Sequence, residues 1–120
     1  MALEHTTWRL EEEENTTGQS MPTDATEHAI TLSFEPGEND TLRVAGKGGC
    51  NRYTASCMVA GDTLTIGPIA STRMLCPEGI MEREARYFQL LASAQRYEEQ
   101  NARLLIFCPP GELRFTRLNE

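Results

Sequence analysis

The feature that most constrains this chain is an apolar residue at every second position, repeated in short runs between turns. Ile30, Leu32 and Phe34 alternate with Thr31, Ser33 and Glu35, and Leu42 and Val44 resume the alternation after Pro36-Gly37-Glu38-Asn39-Asp40. Successive side chains of a strand point to opposite faces, so this pattern specifies half-buried strands rather than helix. Ala60-Gly61-Asp62 reads as a tight hairpin between Tyr53–Val59 and Thr63–Ile66. Further strands are expected at Gln95–Glu99, Arg103–Phe107 and Glu112–Leu118, separated by Gln100-Asn101 and Cys108-Pro109-Pro110-Gly111. Thr7-Trp8-Arg9-Leu10 reads as a short first strand with Trp8 buried. Residues 11–26 read as one long loop, with turn chemistry in Asn15-Thr16-Thr17-Gly18 and Met21-Pro22-Thr23-Asp24.

One segment switches to the helical period. Pro77 suits a first turn, where its missing N–H is harmless, and Glu78 lies at the positive end of the dipole. Ile80, Met81, Ala85, Tyr87, Phe88, Leu91 and Ala92 gather on one stripe, with Glu82, Arg83, Arg86 and Gln89 facing out and an end near Ser93. The expected fold is therefore mostly β, of the α+β type: an antiparallel, meandering, barrel-like sheet of about eight strands with one helix packed on it. Closing the sheet removes the edges that invite aggregation. At 120 residues, with 39% apolar and 24% charged, the chain suits a single domain over residues 1–120 with one core.

Charge and hydropathy exclude several functions. The formal net charge is −7, and Glu11, Glu12, Glu13 and Glu14 form one run that reads as solvated. An acidic sequence without a basic stripe repels phosphates, so nucleic acid is not an expected partner. No stretch approaches the roughly 18 apolar residues of a transmembrane helix. Met1-Ala2-Leu3-Glu4-His5 has neither the basic start nor the apolar run of an export signal. A cytosolic protein and an exported one whose signal is not part of this chain both remain open.

Four cysteines, Cys50, Cys57, Cys76 and Cys108, allow three full pairings, and their even number fits an oxidising compartment. No C-x-x-C pair is present, and His5 and His28 lie far upstream, so neither a metal nor a cofactor is expected. A nucleophilic Cys50 needs a base, and His28 has no orienting signature around it, so no catalytic residue is assigned. Gly46-Lys47-Gly48-Gly49 precedes a strand, whereas a phosphate-binding loop opens a helix; these glycines are expected at a corner or bulge. Asn15-Thr16-Thr17 and Asn39-Asp40-Thr41 match the glycosylation triplet but fall in expected loops.

Three motifs together resemble the META/HslJ-like family. They are Val44-Ala45-Gly46 leading to Gly49-Cys50-Asn51-Arg52-Tyr53; Gly61-Asp62 followed by Leu64-Thr65-Ile66-Gly67-Pro68-Ile69-Ala70-Ser71-Thr72-Arg73-Met74 and then Leu75-Cys76-Pro77; and the helix Met81-Glu82-Arg83-Glu84 with Tyr87-Phe88. Leu75 departs from the alanine common in the family. The resemblance implies bacterial envelope or secreted proteins, one of them stress-related, and supplies no reaction. Together with the acidic surface and the missing catalytic constellation, it suggests a non-enzymatic domain whose partner is a protein or an apolar ligand, and a monomer is expected. It also implies that Cys50 and Cys76 meet, as a disulfide or as packed thiols; a second bridge between Cys57 and Cys108 stays open.

Within these motifs, Asn51 is expected to satisfy backbone groups at the glycine bend, with Asn51 and Tyr53 on one strand face and Cys50 and Arg52 on the other. Ser71, Thr72, Arg73 and Met74 are expected to cap turns before the helix, Arg73 pairing with an acid inside the fold. The rival reading makes them a rim for a partner or an anion. A carrier would instead hold an apolar ligand near Ile66, Ile69, Met74, Met81 and Phe88, and a thiol hydrolase would use Cys50.

Overall fold

The structure is a computed structural model that describes residues 3–14, 20–22, 29–37, 41–109 and 111–118. Its elements run β1 (Thr6–Glu14), β2 (Ser20–Pro22), β3 (Thr31–Pro36), β4 (Leu42–Lys47), β5 (Arg52–Ala60), β6 (Thr63–Ile66), β7 (Ala70–Ser71), α1 (Glu78–Ala92), β8 (Arg96–Gln100), β9 (Arg103–Cys108) and β10 (Gly111–Arg117). All ten strands share one antiparallel sheet, bonded in the order β10-β9-β8-β6-β5-β4-β3-β1-β2, with β7 beside β5. A further pairing, β10 with β1, joins the ends of eight of these strands into a ring.

The alternation read from the sequence fixes which side faces the core. Trp8, Leu10, Leu32, Phe34, Val44, Tyr53, Cys57, Leu64, Leu104, Ile106, Leu113 and Phe115 point inward and are buried, and their strand neighbours point out. A one-residue slip would turn each of these sets to solvent, so burial holds the register. The seam between β6 and β8 is short. Thr63 opposite Arg96 is its one ladder pair, supported by Leu64 N–H to the Gln95 carbonyl at 3.0 Å and Tyr97 N–H to the Asp62 carbonyl at 3.0 Å.

Helix α1 packs Tyr87, Leu90 and Leu91 into the same core. It reaches the bend at 48–51 through Glu84 and touches β6, β9 and β10; β6 lies next to β5 in the ring, while β9 and β10 stand across it from β4 and β5. The helix therefore bridges opposite sides of the ring, with Tyr87, Leu90 and Leu91 turned to the core and Met81, Ala85 and Ala92 to solvent. Among the described residues no helix is long and apolar enough to cross a membrane.

Two expectations are corrected. Residues 11–26 are not one loop: Glu11–Glu14 continue β1, and Ser20–Pro22 form β2 beside it. Residues 15–19 and 23–28 lie outside the described residues. The acidic run becomes strand because β10 supplies a complete ladder partner, Glu12 opposite Arg114 and Glu14 opposite Glu112. Strand propensity is weak against such pairing. A bulge between Leu10 and Glu12 takes up Glu11, which reaches the Thr116 hydroxyl and lies 3.9 Å from Arg103. The apolar stripe of α1 is also rotated from the expected one: Glu84 is buried, while Met81, Ala85 and Ala92 are exposed.

Candidate functional site

The motif residues meet where β5 begins and α1 passes over it. Gly46-Lys47-Gly48-Gly49 is a corner, as its glycines suggest. A Cβ on Gly46 would sit 2.2 Å from the Thr31 carbonyl oxygen, and one on Gly48 would sit 2.9 Å from both Glu84 Oε2 and the Phe88 ring. Gly49 turns the chain with φ 104°, a left-handed value that a side chain resists. The turn aims the backbone N–H groups of Cys50 and Asn51 at one point, and Glu84 of α1 occupies it.

Glu84 Oε2 accepts the Asn51 N–H at 2.6 Å and the Cys50 N–H at 3.0 Å, while Oε1 accepts Asn51 Nδ2 at 2.8 Å. On its other side Asn51 Oδ1 accepts the Met74 N–H at 2.6 Å and the Thr72 hydroxyl at 2.9 Å. The Thr72 hydroxyl oxygen in turn accepts the Arg52 N–H at 3.2 Å. One buried carboxylate and one buried amide thus join three separate stretches of chain. The Cys50–Cys76 disulfide, with Cα atoms 6.1 Å apart, clamps the second to the first. Buried polar groups are costly unless paired, and here both Glu84 oxygens and both ends of the Asn51 amide are engaged.

Below this tie, Tyr53 packs edge-on to Tyr87 and Phe88 at centroid distances of 5.7 and 5.3 Å. Its hydroxyl donates to the Thr31 carbonyl at 2.7 Å, so its oxygen accepts from Tyr87, 2.5 Å away. Burial pushes the Tyr53 phenol well above its ordinary range, outweighing the opposite effect of the Tyr87 hydrogen bond. The hydroxyl stays protonated and serves as a fixed link.

The sequence brings the right residues together but misassigns several roles. Asn51 serves the helix and the segment before it, as well as lying at the glycine bend. Cys50 is buried beside it rather than facing away, because residues 50 and 51 belong to the bend and the strand starts at Arg52. Arg73 makes no ion pair with a described residue; it is exposed, as are Arg52 and Ser71. Cys57 and Cys108 are free and buried, so no second bridge forms. Burial pushes each of these thiols up to about 12, with Glu112 adding to the effect at Cys108. His28 and both glycosylation triplets fall wholly or partly outside the described residues. Met74 and Met81 are exposed, so they do not line the interior expected of a carrier. Among the described residues no group of three or more His, Cys, Asp or Glu is placed to hold a metal.

The residue that sequence reasoning missed is Glu84. Its signal was positional: it stands four after Ile80 and three before Tyr87, on the inward stripe of an otherwise amphipathic helix. A carboxylate there needs inward donors, and a glycine bend supplies them.

A family model for the META domain matches residues 1–120. The chain belongs to the META domain family. Solved structures share the fold of this META domain. An NMR structure of a protein from Burkholderia xenovorans superimposes with a TM-score of 0.83 at 23% identity, covering 99% of this chain and 86% of that one. A second NMR structure gives a TM-score of 0.64 at 23% identity over 96% and 91% of the two chains. A DUF4847 family protein from Bacteroides vulgatus gives 0.60 at 12% identity over 92% and 90%. At these identities the likeness concerns the fold. No curated protein matches the chain significantly.

Proposed function

We propose that this META domain is a non-catalytic interaction module of an oxidising compartment, in the bacterial envelope or among secreted proteins, with a role in stress tolerance. The observation that carries the reading is the use made of the motifs. Gly49, Cys50, Asn51, Tyr53, Thr72 and Cys76 are consumed in holding β5, the segment before α1 and α1 together, which leaves none of them poised toward a substrate. A disulfide as the clamp is compatible with an oxidising compartment. A thiol nucleophile has little support: Cys50 is spent in the disulfide, and the two free thiols are buried and protonated. The carrier reading fares no better, because Trp8, Phe34, Tyr53, Tyr87 and Phe115 fill the ring's interior.

Two measurements on the producing cells test this. Alkylation of intact cells followed by fractionation is expected to find Cys50 and Cys76 oxidised in the envelope or medium; reduced cysteines in the cytosol would remove the compartment. Deletion is expected to slow growth under heat, antibiotic or envelope stress, and unchanged growth under all three would remove the stress role.

A further inference from the structure

One edge of β5 is shared between two short strands. Strand β6 pairs with residues 57–60, and the two residues of β7 pair with Tyr53 and Thr54. Every residue from Ala70 to Leu75 is exposed. The Thr72 N–H donates to the Arg52 carbonyl at 3.0 Å, and the Met74 N–H reaches Asn51 Oδ1 at 2.6 Å. Backbone groups in an antiparallel pair alternate between the partner strand and the opposite side. The N–H and C=O groups of Ser71 and Arg73 therefore turn away from β5. Among the described residues β7 pairs with β5 alone, and neither of these outward N–H groups has a partner.

The core is also incompletely covered beside this edge. Residues opposite each other in a pair share a face, so Ser71, across from Tyr53, lies on the core side of the sheet. Trp8, Leu32, Val44 and Tyr53, also on that side, are buried, whereas Ser71 is exposed. Ile69, two residues before Ser71, and Phe88, 5.3 Å from Tyr53 between ring centroids, pack on the core but are only half-buried. The segment is held in shape as well. Asn51 Oδ1 accepts from both Thr72 and Met74, and Cys76 is bridged to Cys50. An edge arranged in advance loses little freedom when it is paired.

We propose that β7 is a docking edge for an extended segment of another protein, which adds a strand to the sheet beside Ser71 and Arg73. The proposal rests on the reading of this domain as an interaction module and gives the form of its partner. An extended backbone matches outward N–H and C=O groups that recur at every second residue. The added strand carries an apolar side chain toward the half-buried Ile69 and Phe88. It carries a carboxylate for Arg73, since opposite charges across paired strands attract. A second copy of this chain fits less well. Two β7 edges paired about Ser71 would set Arg73 of each opposite Ile69 of the other, and each copy brings a net charge of −7.

The test uses the oxidised, intact chain and a displayed library of random nonapeptides. Selection is expected to enrich peptides with alternating apolar residues and an acid. Their binding should slow hydrogen exchange at the Ser71 and Arg73 amides and leave that of Thr72, already bonded to Arg52, unchanged. Ser71→Pro removes one outward N–H and spares the ladder to β5. The melting temperature should therefore hold, while binding falls by at least about tenfold. Arg73→Ala should weaken binding about threefold. No enrichment would overturn the proposal, as would selected peptides that bind without slowing those two amides. A dimer in sedimentation whose Ser71 and Arg73 amides exchange slowly without peptide would also overturn it, giving the edge to a second copy. Deletion that slows growth under stress while Ser71→Pro does not would remove this edge and leave the module standing. Peptide binding with the alternating protection supports the edge even where deletion leaves growth unchanged, the result that removes the stress role.

Discussion

Glu84 is the most demanding side chain in this molecule, a carboxylate drawn into the core and met by three N–H donors from a bend 33 and 34 residues away. Hydrogen bonds to a charged group are worth about 1.5–3 kcal/mol each, and a donor stranded by deletion costs about as much. Glu84→Ala is therefore expected to lower unfolding stability by about 3 kcal/mol or more in urea denaturation. Glu84→Gln should cost less but remain measurable, because its amide donor would oppose one of the N–H groups. An unchanged midpoint would mean the tie is incidental. The free thiols act at the same scale. Their folded values of about 12 lie above the ordinary thiol value of 9.0. Below pH 9 both states keep their protons and the thiols leave stability independent of pH. Between pH 9 and 12 the unfolded chain ionises first, so stability falls, by up to about 1.4 kcal/mol per pH unit for each thiol. Stability measured across that window is expected to decline less steeply in Cys57→Ala/Cys108→Ala than in the wild type.

At the scale of elements, the disulfide and the turns carry separate contributions. The bridge spans 26 residues, so its loss should release about 3.5 kcal/mol of chain-entropy stabilisation. Cys50→Ser/Cys76→Ser is expected to remain folded but to melt earlier; an unshifted melt would assign the clamp to the Glu84 tie alone. The β8–β9 hairpin turns through Asn101 and Ala102, with φ values of 54° and 62°. Left-handed backbone disfavours alanine, so Ala102→Gly should raise stability by about 0.5–1 kcal/mol, read by the same denaturation. How much of this was legible beforehand follows from range. The strands and the Gly61 hairpin depend on neighbours two to four residues away, and their periodicity announced them. Glu11–Glu14 were misread as loop because their strand character comes from β10, about a hundred residues later. Glu84 escaped for the same reason: a helical glutamate looks solvated until the glycine bend opposite it is known.

For the molecule as a whole, the ring is only as strong as its shortest seam. The β4–β5 ladder has six register pairs and the β6–β8 seam one. Sub-global opening is expected there first, so hydrogen exchange should find the amides of Leu64 and Tyr97 faster than those of Val44 and Ala55. Uniform protection across these positions would show that α1 braces the seam. The other closure, β1 against β10, has a consequence for synthesis. Strand β1 leaves the ribosome with one edge that has no mate until residues 111–117 have been made. Until then the nascent domain carries an open sheet whose free edge invites foreign strands. Any factor that shields that edge would be needed until β10 arrives, and could be released once it pairs.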